Sequence, residues 1–226
     1  MRLMRSMTLM ALALAVLFVD ATTGNTAEQV RGESQIGQRG AAPQTRRGRG
    51  RGRRQAIQTL NVSLSAWTDG GQIPLRYTQV GGEISPGVSW ANVPPGTLSF
   101  VLIMRDLDTT NRDGDGDLMH WLLWNIPGSS TNIAQDLPEL FELDDGTRQI
   151  STSGPRYRGP GAMADGPIHH YVIEVFALDT TLDVEVAPRI PRGTSPADLA
   201  RNGVFEGMQG HVLGKGAYFG LFRRSQ

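Results

Sequence analysis

The sequence contains no cysteine in its 226 residues. This absence excludes zinc modules with cysteine ligands, iron–sulfur proteins, disulfide scaffolds and thiol enzymes. Lysine is nearly absent as well, because Lys215 is the only one. Aromatic residues make up 7% of the chain, whereas 28 glycines and 13 prolines are present. Any folded part must therefore be held together by its hydrophobic core and hydrogen bonds, with many turns between its elements.

Charge is unevenly distributed, although 22 basic residues balance 22 acidic ones. Residues 1–55 contain ten arginines and three acidic residues, a net charge of +7, so residues 56–226 carry −7. Such a difference between two parts of a chain is typical of a basic tail that precedes an acidic globular domain.

The first 27 residues have the pattern of a secretory signal peptide. Arg2 and Arg5 precede a largely apolar run, residues 7–19, which Asp20 ends. This run is 13 residues long, whereas a membrane-spanning helix needs about 20. The pattern therefore favours a signal peptide cleaved after Ala21 or Ala27 over an uncleaved anchor. It predicts a periplasmic or secreted protein with no membrane span in its mature chain.

Residues 28–56 are predicted to be a disordered linker. Arginine and glycine alternate between Arg46 and Arg54, with no aromatic side chain and few aliphatic ones. Such a segment buries too little apolar surface to offset the entropy lost on ordering. Its charge suits an anionic surface such as phospholipid headgroups or acidic glycans. Nucleic acid is the weaker interpretation, because the aromatic stacking partners used on single strands are missing.

Hydrophobic periodicity predicts one β-rich domain in residues 57–226. Apolar and polar residues alternate from Leu60 to Ala66, which is typical of a half-buried strand. Residues 99–104 and 121–126 are short apolar runs bounded by turn residues, a pattern that favours buried strands. About 170 residues are enough for a single domain that buries roughly 70% of its chain surface.

Two further strands and one helix complete the expected architecture. Residues 171–178 are apolar on both sides and predict a central strand, and residues 217–222 predict a last strand. Ser195 can cap a helix that has Pro196 in its first turn and continues through residues 199–205. Strands joined by connections rich in proline and glycine indicate an all-β sandwich with one or two short helices.

Histidines and aspartates gather where predicted strands begin or end. His120 and His169 each open a strand, and Asp106 and Asp108 end another. Polar groups at strand ends in a sandwich collect on a rim, where binding sites are usually built. A carboxylate beside an imidazole fixes its tautomer and favours its charged form, so two such histidines can present N–H donors to an anion. The alternative is that each histidine makes only a structural hydrogen bond.

Short motifs from one end of the domain to the other strengthen the binding interpretation. They are residues 82–90 (GEISPGVSW), residues 92–96 (NVPPG), Asp106-Leu107-Asp108, His120-Trp121 with Asn125-Ile126-Pro127, Gly159-Pro160, His169-His170-Tyr171 and residues 207–213 (GMQGHVL). In this order they resemble the phosphatidylethanolamine-binding protein family, in particular its bacterial branch of Raf kinase inhibitor-like proteins. The resemblance spans nearly all of residues 57–224.

The resemblance implies a β-sandwich with a small anion pocket at one end, in a binding protein that needs no cofactor or metal. Matched by motif, the implied ligand-binding residues are Asp106, Asp108, His120, Gly159, Pro160, His169 and Tyr171. The expected ligand is a small anion, either phosphate or a group like a phospholipid headgroup, and a protein partner is a further expectation. Leu107 stands where the family has proline, and Ala162 and Met163 stand where it has two prolines.

These residues suggest a mechanism of binding. Asp106 is expected to orient His120, while His169 and Tyr171 add further donors. A turn at Gly159-Pro160 is expected to let a phosphate-like group approach the backbone. His170 alternates with its neighbours along the strand and is expected to face elsewhere.

Other functions compete with anion binding. Residues 111–117 (NRDGDGD), from Asn111 to Asp117, resemble the first half of a calcium loop, but the twelfth position is Leu122 and not glutamate. A hydrolase is a second alternative. Ser151 or Ser153 could be a nucleophile, although no Gly-x-Ser-x-Gly motif is present. Zinc could be held by His120, His169 and Asp106, although these lack the short spacing of a metalloprotease helix motif. Inhibition of an extracytoplasmic protease or other enzyme is a third. A cytosolic kinase does not fit an exported chain.

Overall fold

The structure, a computed structural model, describes residues 56–110, 117–185 and 194–224. The predicted signal peptide, nearly all of the predicted linker and residues 111–116, most of the segment that resembles a calcium loop, lie outside these residues. The strands are β1 (Gln58–Thr59), β2 (Asn61–Leu64), β3 (Gly71–Gln72), β4 (Val88–Ala91), β5 (Ser99–Thr110), β6 (Asp117–Pro127), β7 (Asn132–Ile133), β8 (Arg148–Ile150), β9 (His169–Leu178) and β10 (Val212–Phe222). One α-helix, α1 (Pro196–Gly207), precedes β10, and Leu75–Tyr77 form a single 3-10 turn.

The strands form two sheets. The larger has the order β1-β10-β9-β5-β6-β8, with β3 also pairing with β10, and the smaller has the order β2-β4-β7. The prediction of an all-β sandwich with a short helix is confirmed. The predicted central strand is confirmed too, because β9 pairs antiparallel with β10 on one side and β5 on the other.

Both faces of the larger sheet are covered by apolar side chains. On one face, Phe100 and Leu102 of β5 pack in a cluster that includes Trp90 of the smaller sheet. On the other face, Ile103 packs in a second cluster with Val204 of α1. Successive residues of a strand point to opposite faces, so a strand covered on both sides is apolar throughout. This explains the continuous apolar runs in the middle of β5 and β6.

The helix begins and ends where the sequence predicts. The hydroxyl of Ser195 accepts a hydrogen bond from N of Asp198 at 3.1 Å, and the Asp198 side chain reaches back to N of Ser195. This reciprocal arrangement is a capping box, and it satisfies backbone donors that the first turn leaves unpaired. No helix in the described ranges is long and apolar enough to cross a membrane.

Two expected strand boundaries are wrong. Asp106 and Asp108 do not end a strand, because β5 continues to Thr110, and His120 does not open one, because β6 starts at Asp117. Backbone pairing between β5 and β6 continues past the apolar core, at Asp106 with Leu118 and Thr110 with Asp117. The two strands therefore extend beyond the core as a polar ribbon, which brings their side chains to one end of the sandwich.

Candidate functional site

A bulge in β6 determines where His120 points. Met104 pairs with Trp121 and the next residue, Arg105, pairs with Met119, so His120 is an extra residue on its strand. An extra residue interrupts the regular alternation of faces. Accordingly Trp121 packs in the cluster with Phe100, whereas Met119 packs in the cluster beside α1. His120 belongs to neither cluster, and its side chain lines a cavity.

Strand register places Asp106 between the other polar residues of this cavity. Asp106 pairs with Leu118 of β6 and with Tyr171 of β9. In antiparallel strands, a residue also contacts side chains two positions along the neighbouring strand on the same face. His169 occupies such a diagonal position, so Asp106, His169 and Tyr171 share one face of the larger sheet.

The cavity has a volume of about 270 Å³. Its lining residues are Gln79, Asp106, Thr109, Leu118, His120, Arg158, Gly161, Ala162, Met163, Gly166, Pro167, His169 and Tyr171. Four of the seven residues predicted for the site line it, namely Asp106, His120, His169 and Tyr171. The other three, Asp108, Gly159 and Pro160, lie outside the lining.

His120 is held by the backbone of the segment before Gly159. Its Nδ1 lies 3.0 Å from O of Arg158 and 3.1 Å from O of Gly159, and its own carbonyl accepts a hydrogen bond from N of Arg158 at 3.0 Å. The ring is 2% exposed. Burial is the main reason that the pKa of His120 is lowered, although the carbonyl of Arg158 and the Asp106 carboxylate act in the opposite direction.

The prediction that Asp106 orients His120 is wrong. Oδ2 of Asp106 accepts a hydrogen bond from Nδ1 of His169 at 2.8 Å, and Oδ1 accepts one from N of Asp108 at 2.9 Å. The bulge supplies the reason, because it turns Nδ1 of His120 toward the Arg158 carbonyl. Asp106 therefore orients His169, and backbone carbonyl groups orient His120.

Asp108 is directed away from the cavity. Its carboxylate accepts hydrogen bonds from N of His170 at 2.5 Å and from Nδ1 of His170 at 2.9 Å. The backbone N–H of His170 is the main cause that lowers the pKa of Asp108, and the imidazole adds to it. The side chains of this pair are 37% and 58% exposed, so it is a surface interaction. His170 faces elsewhere, as its position on the strand predicts.

Gly159 packs closely against the backbone of Tyr77 and Thr78 and leaves no space there for a ligand. A Cβ at this position would lie 2.6 Å from O of Tyr77 and 2.7 Å from Cα of Thr78. Its carbonyl accepts a hydrogen bond from Nε2 of Gln79 at 2.7 Å, and O of Pro160 accepts one from N of Gln79 at 3.0 Å. The expected ligand approach at Gly159-Pro160 is therefore wrong, because neighbouring backbone fills that space.

Arg158 is a lining residue that the sequence analysis missed. Its guanidinium donates through one terminal nitrogen to the hydroxyls of Thr152 at 3.3 Å and Ser153 at 3.2 Å, and its buried Nε has no hydrogen-bond partner among the described residues. The signal was its position directly before the Gly159-Pro160 motif. Arg158 carries a permanent positive charge, which is near enough to His120 to lower the pKa of that imidazole.

Tyr171 forms the floor beside His120. The two rings are in edge contact with their centroids 5.2 Å apart, and the tyrosine is 1% exposed. Burial, with the Asp106 carboxylate adding to it, raises the pKa of Tyr171, so its hydroxyl stays protonated. In the described part of the chain that hydroxyl makes no hydrogen bond of standard geometry, although the Asp106 carboxylate and N of Gly161 lie close enough to affect its pKa.

Comparison with known proteins identifies the family. The family model for phosphatidylethanolamine-binding protein matches residues 63–223. The chain belongs to the phosphatidylethanolamine-binding protein family. A UPF0098 protein from Methanothermobacter thermautotrophicus is 38% identical over 167 residues, which cover 73% of this chain and 99% of the relative. Another from Aquifex aeolicus is 31% identical over 166 residues, which cover 73% of this chain and 89% of the relative.

Solved structures of the phosphatidylethanolamine-binding protein family share this fold. A family homologue from Chlamydia trachomatis has a TM-score of 0.57 and 25% identity, over 74% of this chain and 99% of its own. YbcL from Escherichia coli, described as a new member of the mammalian family, has a TM-score of 0.56 and 21% identity over the same shares of the two chains. The family resemblance inferred from the motifs is confirmed.

This phosphatidylethanolamine-binding protein family member departs from the family's motifs at the rim of the cavity. Leu107 stands between the two acids where the family has proline, and the hydrogen bond from N of Asp108 to Oδ1 of Asp106 joins the residues on either side of it within β5. Met163, which replaces a family proline, is 78% exposed at the cavity edge. A flexible methionine at the rim leaves the entrance less rigid than a proline would.

The geometry gives little support to the hydrolytic alternatives. Within the described ranges, no group of three or more histidine, aspartate or glutamate side chains is placed to hold a metal ion. Ser151 and Ser153, which precede the Gly159-Pro160 motif, do not line the cavity. In the zinc alternative built on His120, His169 and Asp106, the Asp106 carboxylate already accepts hydrogen bonds at both oxygens, from N of Asp108 and from Nδ1 of His169.

Proposed function

We propose that this chain binds a small oxyanion, either phosphate or a phosphate-bearing headgroup, in the cavity between His120 and His169. One observation carries the proposal: among the described residues, the buried Nε2 of His120 and the buried hydroxyl of Tyr171 form no hydrogen bond of standard geometry, and both residues line the same cavity. Buried polar groups in native proteins nearly always have partners. A bound ligand supplies the two that are missing.

The size of the cavity supports a small ligand. Its volume of about 270 Å³ is below the ~300–1,000 Å³ typical of pockets for drug-sized molecules. A tetrahedral phosphate or a compact headgroup fits this space. The acyl chains of a lipid do not, so any lipid ligand would leave its chains outside.

Charge supports an anion as the ligand. Arg158 lines the cavity and its positive charge is close enough to lower the pKa of His120, and His169 is held there with its Nδ1 bonded to Asp106. Asp106 is the one carboxylate among the lining residues that the structure describes, and its oxygens accept hydrogen bonds from His169 and from N of Asp108. The hydrogen bonds to its two oxygens reduce the repulsion that this carboxylate exerts on an oxyanion.

Calorimetric titration of the purified chain with phosphate, phosphoethanolamine and acetate tests the proposal. At least one of these anions is expected to bind saturably with one site per chain. His120→Ala and His169→Ala should each weaken binding about tenfold or more, the loss of roughly one charge-assisted hydrogen bond. His211→Ala is the matched control, because His211 pairs with Asp179 on the surface and does not line the cavity.

Two results would contradict the proposal. If none of the three anions binds, small oxyanions are excluded as the ligands of this chain. Equal affinities in the wild type, His120→Ala and His169→Ala would show that the anion binds somewhere else.

The proposal includes export, on the strength of the signal pattern in residues 1–27. Protein recovered from outside the cytoplasm should begin at Thr22 or Glu28 when its amino terminus is sequenced. Deletion of residues 7–19 should leave the chain in the cytoplasm. An unprocessed amino terminus on exported protein would contradict the cleaved signal and support an anchor.

The arginines between Arg46 and Arg54 are proposed to tether the exported domain to anionic surfaces. Replacement of these arginines by glutamine should abolish co-sedimentation with vesicles that contain anionic lipid, and added salt should weaken binding by the intact chain. Binding that survives either change would contradict the tether. A protein partner, such as an extracytoplasmic enzyme, remains a separate prediction that pull-down from the same compartment would test.

A further inference from the structure

We infer that the cavity selects oxyanions that still carry a proton, because Nε2 of His120 is placed to accept a hydrogen bond from the ligand and not to donate one. The inference rests on the proposed function and narrows its ligand class. It separates hydrogen phosphate and protonated phosphate monoesters from sulfate and from phosphodiesters.

Two carbonyl groups determine which nitrogen of the His120 ring carries hydrogen. Nδ1 lies within hydrogen-bond distance of O of Arg158 and O of Gly159, at 3.0 and 3.1 Å. A carbonyl oxygen can only accept, so Nδ1 must be the N–H. A neutral imidazole has one N–H and one lone pair. Nε2 of a neutral His120 is therefore an acceptor.

The surroundings keep this ring neutral. Burial is the main effect that lowers the pKa of His120, and the nearby Arg158 guanidinium contributes in the same direction. The other titratable groups that face the ring are Asp106 on β5 and His169 and Tyr171 on β9. Asp106 favours the charged form, but its carboxylate is hydrogen-bonded to His169 and not to His120.

Tyr171 supplies the complementary donor. Its hydroxyl is buried and protonated, and it forms no hydrogen bond of standard geometry in the described residues, although the Asp106 carboxylate and N of Gly161 lie near enough to affect its pKa. The cavity thus offers one unpaired acceptor at Nε2 of His120 and, at Oη of Tyr171, a donor that a ligand oxygen can engage. A ligand that satisfies both needs an O–H group and an acceptor oxygen on the same small centre.

Only some oxyanions meet this requirement at neutral pH. Hydrogen phosphate retains an O–H beside its acceptor oxygens, whereas sulfate has four acceptor oxygens and no proton. A lone pair of sulfate would face the lone pair of Nε2, which is a repulsive contact and leaves the buried nitrogen unsatisfied. The same reasoning excludes a phosphodiester, whose two free oxygens carry no hydrogen.

Calorimetric titration of the purified chain with phosphate and with sulfate at neutral pH tests the inference. Phosphate is expected to bind at least about tenfold more tightly than sulfate, which corresponds to one hydrogen bond gained and one repulsive contact avoided. A second pair, phosphoethanolamine and glycerophosphoethanolamine, compares a monoester with a diester of the same headgroup. At slightly acidic pH, where the monoester keeps a proton, the monoester should bind more tightly by a similar factor.

The outcomes separate the inference from the proposed function. Equal binding of phosphate and sulfate would overturn the inference and leave anion binding intact. Binding of none of the anions, including phosphoethanolamine and acetate, would overturn both. Tighter binding of the diester than of the monoester would also overturn the inference, and it would indicate a lipid headgroup as the ligand.

A second measurement needs no ligand and no variant. Nitrogen NMR of the histidine rings reports which nitrogen carries hydrogen, and the inference predicts protonated Nδ1 and unprotonated Nε2 for His120 at neutral pH. A protonated Nε2 would overturn it.

A variant provides a third test. His120→Phe keeps a buried aromatic ring without the acceptor and should reduce the preference for phosphate over sulfate by about tenfold.

Discussion

Asp106 and His169 lie diagonally across β5 and β9 and are joined by a hydrogen bond of 2.8 Å between Oδ2 and Nδ1. The carboxylate is 4% exposed and the imidazole 16% exposed, so the bond is largely shielded from water. It leaves Nε2 as the ring nitrogen of His169 that is available to a ligand. The orientation of one proposed anion-binding side chain therefore depends on one buried carboxylate.

Asp106→Asn should weaken both anion binding and the fold. The amide lacks the charge that strengthens the bond to His169, so we expect affinity to fall about tenfold and the free energy of unfolding to fall by about 1–3 kcal/mol. Calorimetry and urea denaturation measure the two effects. Asp108→Asn is the matched control, since that carboxylate pairs with His170 on the surface. An equal loss of affinity in the two variants would contradict the assignment.

His120 should make the stability of the domain depend on pH. Because the pKa of His120 is lowered in the folded protein, chiefly by burial, the unfolded chain binds a proton more readily. Its contribution is therefore complete above the unfolded pKa of about 6.5 and is lost as pH falls below that value. His120→Phe should have a flatter profile of unfolding free energy from neutral to mildly acidic pH. Parallel profiles for wild type and variant would contradict a buried neutral ring.

Gly159→Ala should destabilise the domain by forcing apart two segments of backbone. The added methyl group would meet O of Tyr77 and Cα of Thr78 at distances that real Cβ atoms do not have. We expect the free energy of unfolding to fall by about 1–3 kcal/mol or more, as for other overpacked sites. Gly166→Ala is the control, because its nearest neighbour would lie at 3.4 Å, an ordinary contact. Similar midpoints in thermal unfolding for the two variants would contradict the packing role.

Lys215→Met should destabilise the larger sheet, because it removes an ion pair between β10 and β9. Nζ of Lys215 lies 2.7 Å from Oε1 of Glu174, whose other oxygen pairs with Arg105. Burial raises the pKa of Glu174, but Lys215 and Arg105 outweigh this effect and the pKa is lowered overall. Methionine keeps the apolar stem over Phe176 and removes the charge, so we expect a loss of about 1–2 kcal/mol at neutral pH.

The pH dependence of that loss provides its control. A carboxyl group with a lowered pKa stabilises the fold above its unfolded pKa, and this contribution disappears as pH falls through the folded pKa. The difference between wild type and Lys215→Met should therefore shrink in acid. A difference that is constant with pH would show that Lys215 acts through packing alone.

Local patterns in the sequence were enough to predict the long elements of the fold. The apolar runs in β5, β6 and β9 and the capping residues of α1 are signals within a single segment. The short strands β1, β3 and β8 carry no such signal, because each has two or three residues and exists only through pairing with a distant strand. Their backbone partners are determined by the assembled sheet.

The sequence was enough to predict most of the polar residues that form the candidate site, but not the hydrogen bonds between them. Asp106, His169 and Tyr171 meet because the register of β5 and β9 is fixed by apolar residues that the sequence shows. The direction of His120 depends on a bulge, which alternation within β6 does not reveal. Arg158 and Gln79 reach the cavity from loops, where no periodicity links a residue to its neighbours in space.

The most direct test of the account is a crystal structure of this protein grown with phosphate well above its dissociation constant. We predict density for one tetrahedral ion in the cavity, with one oxygen within hydrogen-bond distance of Nε2 of His120 and another near Oη of Tyr171 or the Arg158 guanidinium. An empty cavity under those conditions, or phosphate bound only at another surface, would contradict the assignment of this site.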